Sequence, residues 1–178
     1  MWHCCSGLRL SHNAVIWQGV KLSLLNTDKK IIVQTRNGNN ISNFQNPEIS
    51  EFNKNYFAKI ESQYKNAKKR SEPTGLYNCH GMTFASRRCF IEDPNQVLMI
   101  LKDDDYCEIN YKDVLPGDII VYFSNGDVEH SGVVVEEPKK PLYVPLIFSK
   151  WSVHSEFIHF ANDCPYDKTN IKYYRIFK

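Results

Sequence analysis

The composition of this 178-residue chain excludes several classes of protein before any motif is considered. Hydrophobic residues make up 42% of it and aromatic residues 13%, which suits a folded core and not a disordered chain. The formal net charge of +2 creates no strong field, so charge predicts neither a nucleic-acid partner nor binding to a membrane surface. The length suits one domain, or one domain with an extension.

The N-terminus and the cysteines favour a reduced, unexported protein. The sequence has no positively charged start followed by an apolar stretch, and no run approaches the ~18 apolar residues of a membrane span. The six cysteines are scattered, and none forms a CxxC pair. We therefore expect no Sec signal, no membrane span, no disulfide framework, no metal, no cofactor and a cytoplasmic location by default.

Residues 1–74 are predicted to form an N-terminal extension, a hairpin followed by an amphipathic helix. Apolar residues alternate over 13–25 and again over 31–35, with a polar break between them. From 48 to 70 the apolar residues recur at steps of three and four, which predicts a helix with one face buried. The extension either packs on the main domain or lies over the functional site as an inhibitory or docking segment.

Residues 75–178 are predicted to form the main domain. A second helix is expected over 80–90, followed by a series of strands separated by turn residues. The dipeptide Asn125-Gly126 predicts a tight hairpin turn between two of the strands. The expected strands are 119–123, 130–136, 142–151, 156–160 and 171–177. Two helices followed by an antiparallel meander predict an α+β fold.

Cys79 and His130 are the candidate nucleophile and base. A thiol attacks as its thiolate, so a catalytic cysteine is expected at a helix N-terminus within reach of an imidazole. Asn78 is a good capping residue for a helix that begins at Cys79, which predicts a lowered thiol pKa. His80 is a poor base, because on a helix it points about 100° away from its neighbour.

Three motifs, taken in order, resemble the NlpC-type papain-like peptidases and amidases. They are the run from Asn78 to Gly81, the strand entry at 115–122 and the run from His130 to Val135. The resemblance covers about 75–178. It implies a papain-like fold with N-terminal helices packed on an antiparallel sheet, Cys79 as nucleophile, His130 as general base and a third polar residue that orients His130.

The candidates for the residue that orients His130 lie in the C-terminal part of the chain. The run from Ser149 to Ser152, followed by Ile158-His159, resembles a signature of relatives of this fold, with Ser152 where glycine is usual. His159 on an alternating strand is the first candidate to orient His130, and Ser149 is its rival. His154 and Asn162 are weaker candidates.

The predicted function is therefore a cysteine hydrolase that cleaves an amide bond through a thioester intermediate. The resemblance implies a peptide substrate or a cell-wall γ-D-glutamyl or N-acetylmuramoyl amide. The alternatives are a papain-like acyltransferase and a non-catalytic interaction protein on a peptidase scaffold. A cell-wall substrate would require leaderless secretion, as for antibacterial toxins, and an immunity or inhibitor protein would then be a partner.

Overall fold

The computed structural model describes residues 29–46 and 48–177, and these form an antiparallel sheet with a few helices. The α+β class is thus confirmed. The helices are α1 (Glu51–Glu61), α2 (Cys79–Phe84) and α3 (Pro94–Asp103), with a short 3-10 helix at Tyr111–Asp113. The strands are β1 (Lys68–Lys69), β2 (Tyr106–Ile109), β3 (Ile119–Ser124), β4 (Asp127–Glu136), β5 (Leu146–Lys150), β6 (Glu156–Phe160) and β7 (Asn170–Ile176).

The seven strands lie in the order β1-β6-β5-β4-β3-β7-β2, and each pair of neighbours is antiparallel. The hairpin of β3 and β4 is closed by Asn125 and Gly126, whose φ angles are +52° and +92°. Two consecutive positive φ angles are typical of the type I′ turn, which matches the twist of the flanking strands. The predicted hairpin turn is confirmed.

The sheet buries side chains on both faces. Across β3 and β4, Val121 pairs with Ser131 on one face, and Tyr122 pairs with His130 on the other. Buried residues of α2, α3 and their flanks cover the side of Val121, which we call the α2 face. Tyr166 packs in the second cluster, which includes Tyr122, and we call this side the Tyr166 face.

The described part of residues 1–74 contacts the same sheet and the same core. Strand β1 pairs with β6 through Lys68↔Ile158 and Lys69↔Phe157. Beyond the end of α1, Tyr64 packs against the apolar cluster of the Tyr166 face. The predicted strand at 13–25 lies outside the described residues, and the predicted strand at 31–35 contributes only an isolated bridge, Gln34↔Asn40.

The predicted helices are shorter than expected, and one was missed. α1 ends at Glu61, because its cap Ser62 is followed by turns and then by β1. α2 ends at Phe84, since the chain turns sharply where Ser86 has a positive φ of 50°. α3 begins at Pro94, capped by Asp93. The sequence predicted strands and no further helix after 80–90, whereas Asp93 and Pro94 begin one.

No helix in residues 29–46 and 48–177 is long and apolar enough to cross a membrane.

Candidate active site

The start of α2 is held by Asn78, as the sequence predicted. Its Oδ1 accepts hydrogen bonds from the backbone N–H of Gly81 at 2.9 Å and of Ile91 at 3.1 Å. Its Nδ2 donates to the carbonyl oxygen of Ile91 at 2.7 Å. The buried amide therefore caps the helix and ties it to a second chain segment, which determines where Cys79 lies.

Two glycines in the sequence motifs are required by close packing. A Cβ at Gly81 would overlap the backbone carbonyl of Cys89, so α2 approaches that segment only with glycine in this place. A Cβ at Gly132 would lie 2.8 Å from a methyl group of Ile147 and 2.9 Å from the Cβ of Ser149. Glycine at 132 thus lets β4 and β5 lie side by side.

Cys79 lies beside a gap in the sheet. The pairing of β4 with β5 runs from Glu136 to Val133 and stops there, so the part of β4 that carries Ser131 is not paired with β5. Hydrogen bonds from the backbone N–H groups of Ser131 and His80 stabilise a thiolate at Cys79. The backbone of α2 and of β4 thus acts to lower the pKa of the Cys79 thiol.

The thiol of Cys79 is nevertheless protonated in this conformation. Its residue is 4% exposed, and burial raises the pKa to about 11, which outweighs the backbone hydrogen bonds and the nearby charge of Lys150. The predicted lowering of the thiol pKa is wrong for this closed site. A six-residue helix aligns few peptide dipoles, so α2 gives little compensation.

His80 belongs to a polar chain on the α2 face. Its Nδ1 lies 2.8 Å from the hydroxyl of Ser131, and that hydroxyl donates to the hydroxyl of Thr83 at 3.1 Å. Since Ser131 uses its proton toward Thr83, the Nδ1 of His80 is the donor to Ser131. Burial lowers the pKa of His80 to about 4, so the ring is neutral. His80 links α2 to β4.

His130 is fully buried on the Tyr166 face and has two unpartnered nitrogens. Among the described residues neither Nδ1 nor Nε2 finds a hydrogen-bond partner, so the imidazole is not bonded to the Cys79 thiol. The ring of Tyr166 stacks on it at 3.7 Å between centroids and 8° between planes. Burial, with smaller contributions from His159 and His80, holds the pKa of His130 well below its usual range. The site contains a neutral base that is covered by an aromatic ring.

The position of His130 in its strand differs from the prediction. The sequence placed it at the head of the strand, near an edge where a cleft can form. β4 instead begins at Asp127, and His130 lies inside it opposite Tyr122. The polar residues before His130 continue the hairpin ladder, so the apolar run marked only the later part of the strand.

The two candidates for the third residue bond to each other. The hydroxyl of Ser149 lies 2.7 Å from Nε2 of His159, and the Nδ1 of His159 lies 2.8 Å from the carbonyl oxygen of Phe160. Since a carbonyl only accepts, Nδ1 carries the proton and Ser149 donates to Nε2. Both ring nitrogens of His159 are thus occupied, and neither bonds to His130. His159 is close enough for its charge to lower the pKa of His130.

The weaker candidates lie apart from these bonds. His154 is buried and its Nε2 lies 2.8 Å from the carboxylate of Glu61, so it joins α1 to the main sheet. Asn162 is exposed.

Lys150 is a site residue to which the sequence interpretation gave no role. It is fully buried on the α2 face, and its Nζ lies 4.9 Å from the centre of the Tyr77 ring. Nζ donates a hydrogen bond to the carbonyl oxygen of His154. Burial lowers the pKa of Lys150 to about 7, while Glu156 and Cys79 oppose that shift. In the sequence, the feature that could have pointed to Lys150 is the Ser149-Lys150-Trp151 run, which is part of the C-terminal signature.

The described residues, 29–46 and 48–177, contain no group of three or more His, Cys, Asp or Glu side chains arranged to hold a metal ion. The candidate site consists of the Cys79 thiol at the start of α2, the buried Lys150 on the α2 face and the buried His130 on the Tyr166 face. Models of known protein families, curated protein sequences and solved structures give no match to the chain, so its side-chain geometry is the basis for assigning a function.

Proposed function

We propose that the chain is a cysteine hydrolase with an NlpC-type papain-like scaffold, which cleaves an amide bond through a thioester at Cys79. The observation that carries the proposal is the setting of this thiol. Cys79 begins a helix capped by Asn78, and hydrogen bonding from the backbone of Ser131 and His80 acts to lower the pKa of its thiol. The residue before Ser131 in β4 is His130, a buried imidazole on the Tyr166 face whose two nitrogens have no hydrogen-bond partner among the described residues.

The chemistry follows from these groups. The thiolate of Cys79 attacks the carbonyl carbon, and the developing oxyanion takes hydrogen bonds from backbone N–H groups near the sulfur. His130, which takes the proton of the Cys79 thiol as the thiolate forms, returns it to the leaving amine, which departs and leaves a thioester on Cys79. His130 then takes a proton from water, the hydroxide attacks the thioester, and the acid is released with the thiol restored. His159 lies near His130, but its ring nitrogens bond to Ser149 and Phe160, so His130 acts in this proposal without a hydrogen-bonded orienting residue.

The site opens before this reaction proceeds. The Tyr166 ring covers His130, and its hydroxyl is buried close enough to Cys79 to be affected by a thiolate charge there. Removing this ring from the stack exposes the imidazole and lets water or substrate reach the thiol. Opening also weakens the burial that raises the pKa of Cys79, because water restores solvation to the thiolate. By the resemblance, the substrate is a peptide or a cell-wall amide.

One observation favours a second function, a non-catalytic interaction protein on the same scaffold. Cys79 is almost entirely buried, and its pKa of about 11 leaves little thiolate at neutral pH. A buried cysteine of this kind also serves as a small apolar core residue. If the site never opens, the fold presents a surface and performs no chemistry.

Cysteine labelling separates the two functions. The protein is treated with iodoacetamide at neutral pH, and the labelled positions are followed by mass spectrometry. Cys107 is exposed and reports ordinary thiol reactivity, whereas Cys89 and Cys164 are buried like Cys79. A nucleophile at Cys79 is expected to react much faster than the two buried controls. Equal rates at Cys79, Cys89 and Cys164 would contradict the hydrolase and favour the interaction protein.

Hydrolysis is assayed directly with peptidoglycan fragments and peptide amides. The expected result is release of an amine by the wild-type protein and none by Cys79→Ala, while Cys89→Ala retains the activity. Adding a primary amine tests the acyltransferase alternative, because a transferase would pass the acyl group to the amine in preference to water.

A further inference from the structure

Strands β5 and β6 carry four apolar side chains that lie outside both core clusters. Leu146 pairs with Phe160, and Phe148 pairs with Ile158. All four are half-buried, and neither apolar cluster among the described residues includes any of them. We call these four residues the β5–β6 patch. Directly opposed side chains on neighbouring strands contact each other, so the patch is one continuous apolar surface.

The β5–β6 patch lies on the α2 face, because side chains alternate between the two sides along a strand. Ile147 and Phe157 pack in the cluster of the Tyr166 face, so their neighbours in β5 and β6 project to the opposite side. On β3 the α2 face is covered by α3, whose buried residues cluster with Val121. The apolar layer packed beneath α3 therefore ends before it reaches the patch.

Three exposed cations border the patch. Lys68 pairs with Ile158 across β1 and β6, and the backbone N–H of Arg70 donates to a carbonyl oxygen of β6 at 2.8 Å. The guanidinium of Arg87 lies over the ring of Phe148, 5.4 Å from its centroid. All three of these basic residues are exposed to solvent. The patch thus has a basic rim along the edge of the sheet.

Two carboxylates next to the patch are already paired. Glu156 is buried and accepts a hydrogen bond from Nε of Arg87 at 2.6 Å. Glu136, at the opposite end of the patch, pairs with a lysine at 3.0 Å. Within the part of the chain that the structure describes, Lys68 and Arg70 form no ion pair. The rim therefore keeps an excess of positive charge.

We infer that the β5–β6 patch binds an amphipathic helix of a partner protein, with carboxylates beside the apolar stripe of that helix. A helix is an element that packs on a sheet face, and its apolar stripe matches the two cross-strand pairs. Its carboxylates would meet Lys68, Arg70 and Arg87, which gives the complex complementary charge. The inference does not depend on hydrolysis at Cys79.

Two other occupants suit this surface less well. An added strand would have to pair with β1, which has two residues, both lysines, and short lysine-bearing edges resist pairing. A membrane surface would require apolar side chains that reach into the lipid. Those of the patch are half-buried within strands, and none of them projects from a loop.

The test uses the full chain, labelled with ¹⁵N, and two synthetic peptides of about 18 residues, a length at which isolated helices form. One peptide carries a stripe of leucines with glutamates beside it, and the other has lysine in place of each glutamate. The glutamate peptide is expected to bind and to shift the amide resonances of β1, β5 and β6. The lysine peptide is expected to bind roughly tenfold more weakly or not at all.

Reversing the charge of the rim should weaken binding of the glutamate peptide. The double variant Lys68→Glu/Arg70→Glu is expected to lose affinity by roughly tenfold or more, because both cations become anions. Both residues are exposed, so the fold is expected to persist, which the melting transition checks. The matched control is Lys102→Glu/Lys112→Glu, an equal charge change at exposed positions of α3 and the 3-10 helix. It is expected to bind nearly as the wild type does.

The apolar centre is tested by Ile158→Thr, which keeps the β-branched shape and is expected to weaken binding several-fold. Leu142→Thr is its control, because Leu142 is 60% exposed and lies outside the patch. Failure of the glutamate peptide to bind, equal binding of both peptides, or equal affinity of the rim variant and the wild type would each overturn the inference. So would binding to phosphatidylglycerol vesicles in place of the peptide, or a dimer in sedimentation that Ile158→Thr abolishes.

Discussion

The buried histidines on the two faces of the sheet differ in their hydrogen bonding. On the α2 face, His80 is bonded to Ser131, which continues to Thr83. On the Tyr166 face, one residue earlier in β4 than Ser131, His130 bonds to nothing through either nitrogen. Both rings are buried and neutral. An unpaired buried polar group costs about 1–3 kcal/mol, so a stable fold gains nothing from leaving His130 in this state.

The contrast teaches which polar residues are structural. The side chains of Asn78 and His80 have partners that tie α2 to neighbouring segments, and removing them would loosen the scaffold. His130 packs against the rings of Tyr166 and Tyr122 and has no hydrogen-bond partner among the described residues. A polar group that is left without partners is available to a substrate, which is the condition expected of a catalytic base before its substrate binds.

The sharpest test of this contrast replaces the two histidines of the Tyr166 face in turn. His130→Gln is expected to lower the rate of amide hydrolysis by roughly 10²- to 10⁴-fold, the usual contribution of a general base. His159→Gln is expected to lower the rate far less and to destabilise the fold by about 1 kcal/mol, because it loses hydrogen bonds to Ser149 and Phe160. Rates and urea unfolding are measured for both variants. Equal losses of activity would mean that His159 is required to orient His130.

Asn78→Ala tests the structural side of the comparison. The substitution leaves the N–H of Gly81 and both backbone groups of Ile91 without their buried partner, so the free energy of unfolding is expected to fall by about 2–3 kcal/mol. Denaturant unfolding provides the measurement.

Asn110→Ala is the control for this cap. It removes the cap of the short 3-10 helix, a bond from the N–H of Lys112 to its side chain in an exposed place, and should cost well under half as much. A cost for Asn78→Ala no larger than that of the control would mean that the capping network does not hold α2.

The features that the sequence predicted well are local ones. Asn78 as a cap and the Asn125-Gly126 turn depend on a few neighbouring residues, and both were found where expected. Strand β6 coincides with its predicted range of 156–160, in which three of the five residues are apolar. Local hydrogen bonding and period-2 patterning are readable without knowing the tertiary contacts.

The features that were missed depend on residues far apart in the chain. Lys150 was given no role from the sequence, and only its burial and its contact with the Tyr77 ring show that it belongs near the site. The stack of Tyr166 on His130 joins the loop after β6 to β4, and no local pattern predicts it. The pKa of Cys79 is raised, whereas the prediction was that it is lowered. Burial, a tertiary property, outweighs the backbone hydrogen bonds.

The buried histidines predict how stability depends on pH. The pKa values of His80 and His159 are lowered by burial to about 4, against 6.5 in the unfolded chain. Between these values the unfolded state binds more protons, so stability falls as the pH falls from about 6.5 toward 4. Each histidine is expected to cost roughly 1–2 kcal/mol by pH 5.5. Melting temperatures recorded from pH 7.5 to 5 should therefore decrease.

Substituting one histidine should reduce that pH dependence. His80→Gln is expected to be less stable than wild type at pH 7.5 and to lose less on acidification, because one proton-binding group is absent. A slope unchanged in both His80→Gln and His159→Gln would show that neither ring is buried neutral in solution.

Substitution of Tyr166 is expected to have the smallest effect of these changes, and it tests directly whether this ring closes the site. Tyr166→Ala opens the stack above His130, so iodoacetamide is expected to label Cys79 several-fold faster than in the wild type. Tyr166→Phe keeps the ring, and its labelling rate is expected to remain near the wild-type rate because stacking, not the hydroxyl, covers the imidazole. If both variants label alike, the ring does not close the site, and the burial of Cys79 must come from the packing of α2 against the gap between β4 and β5.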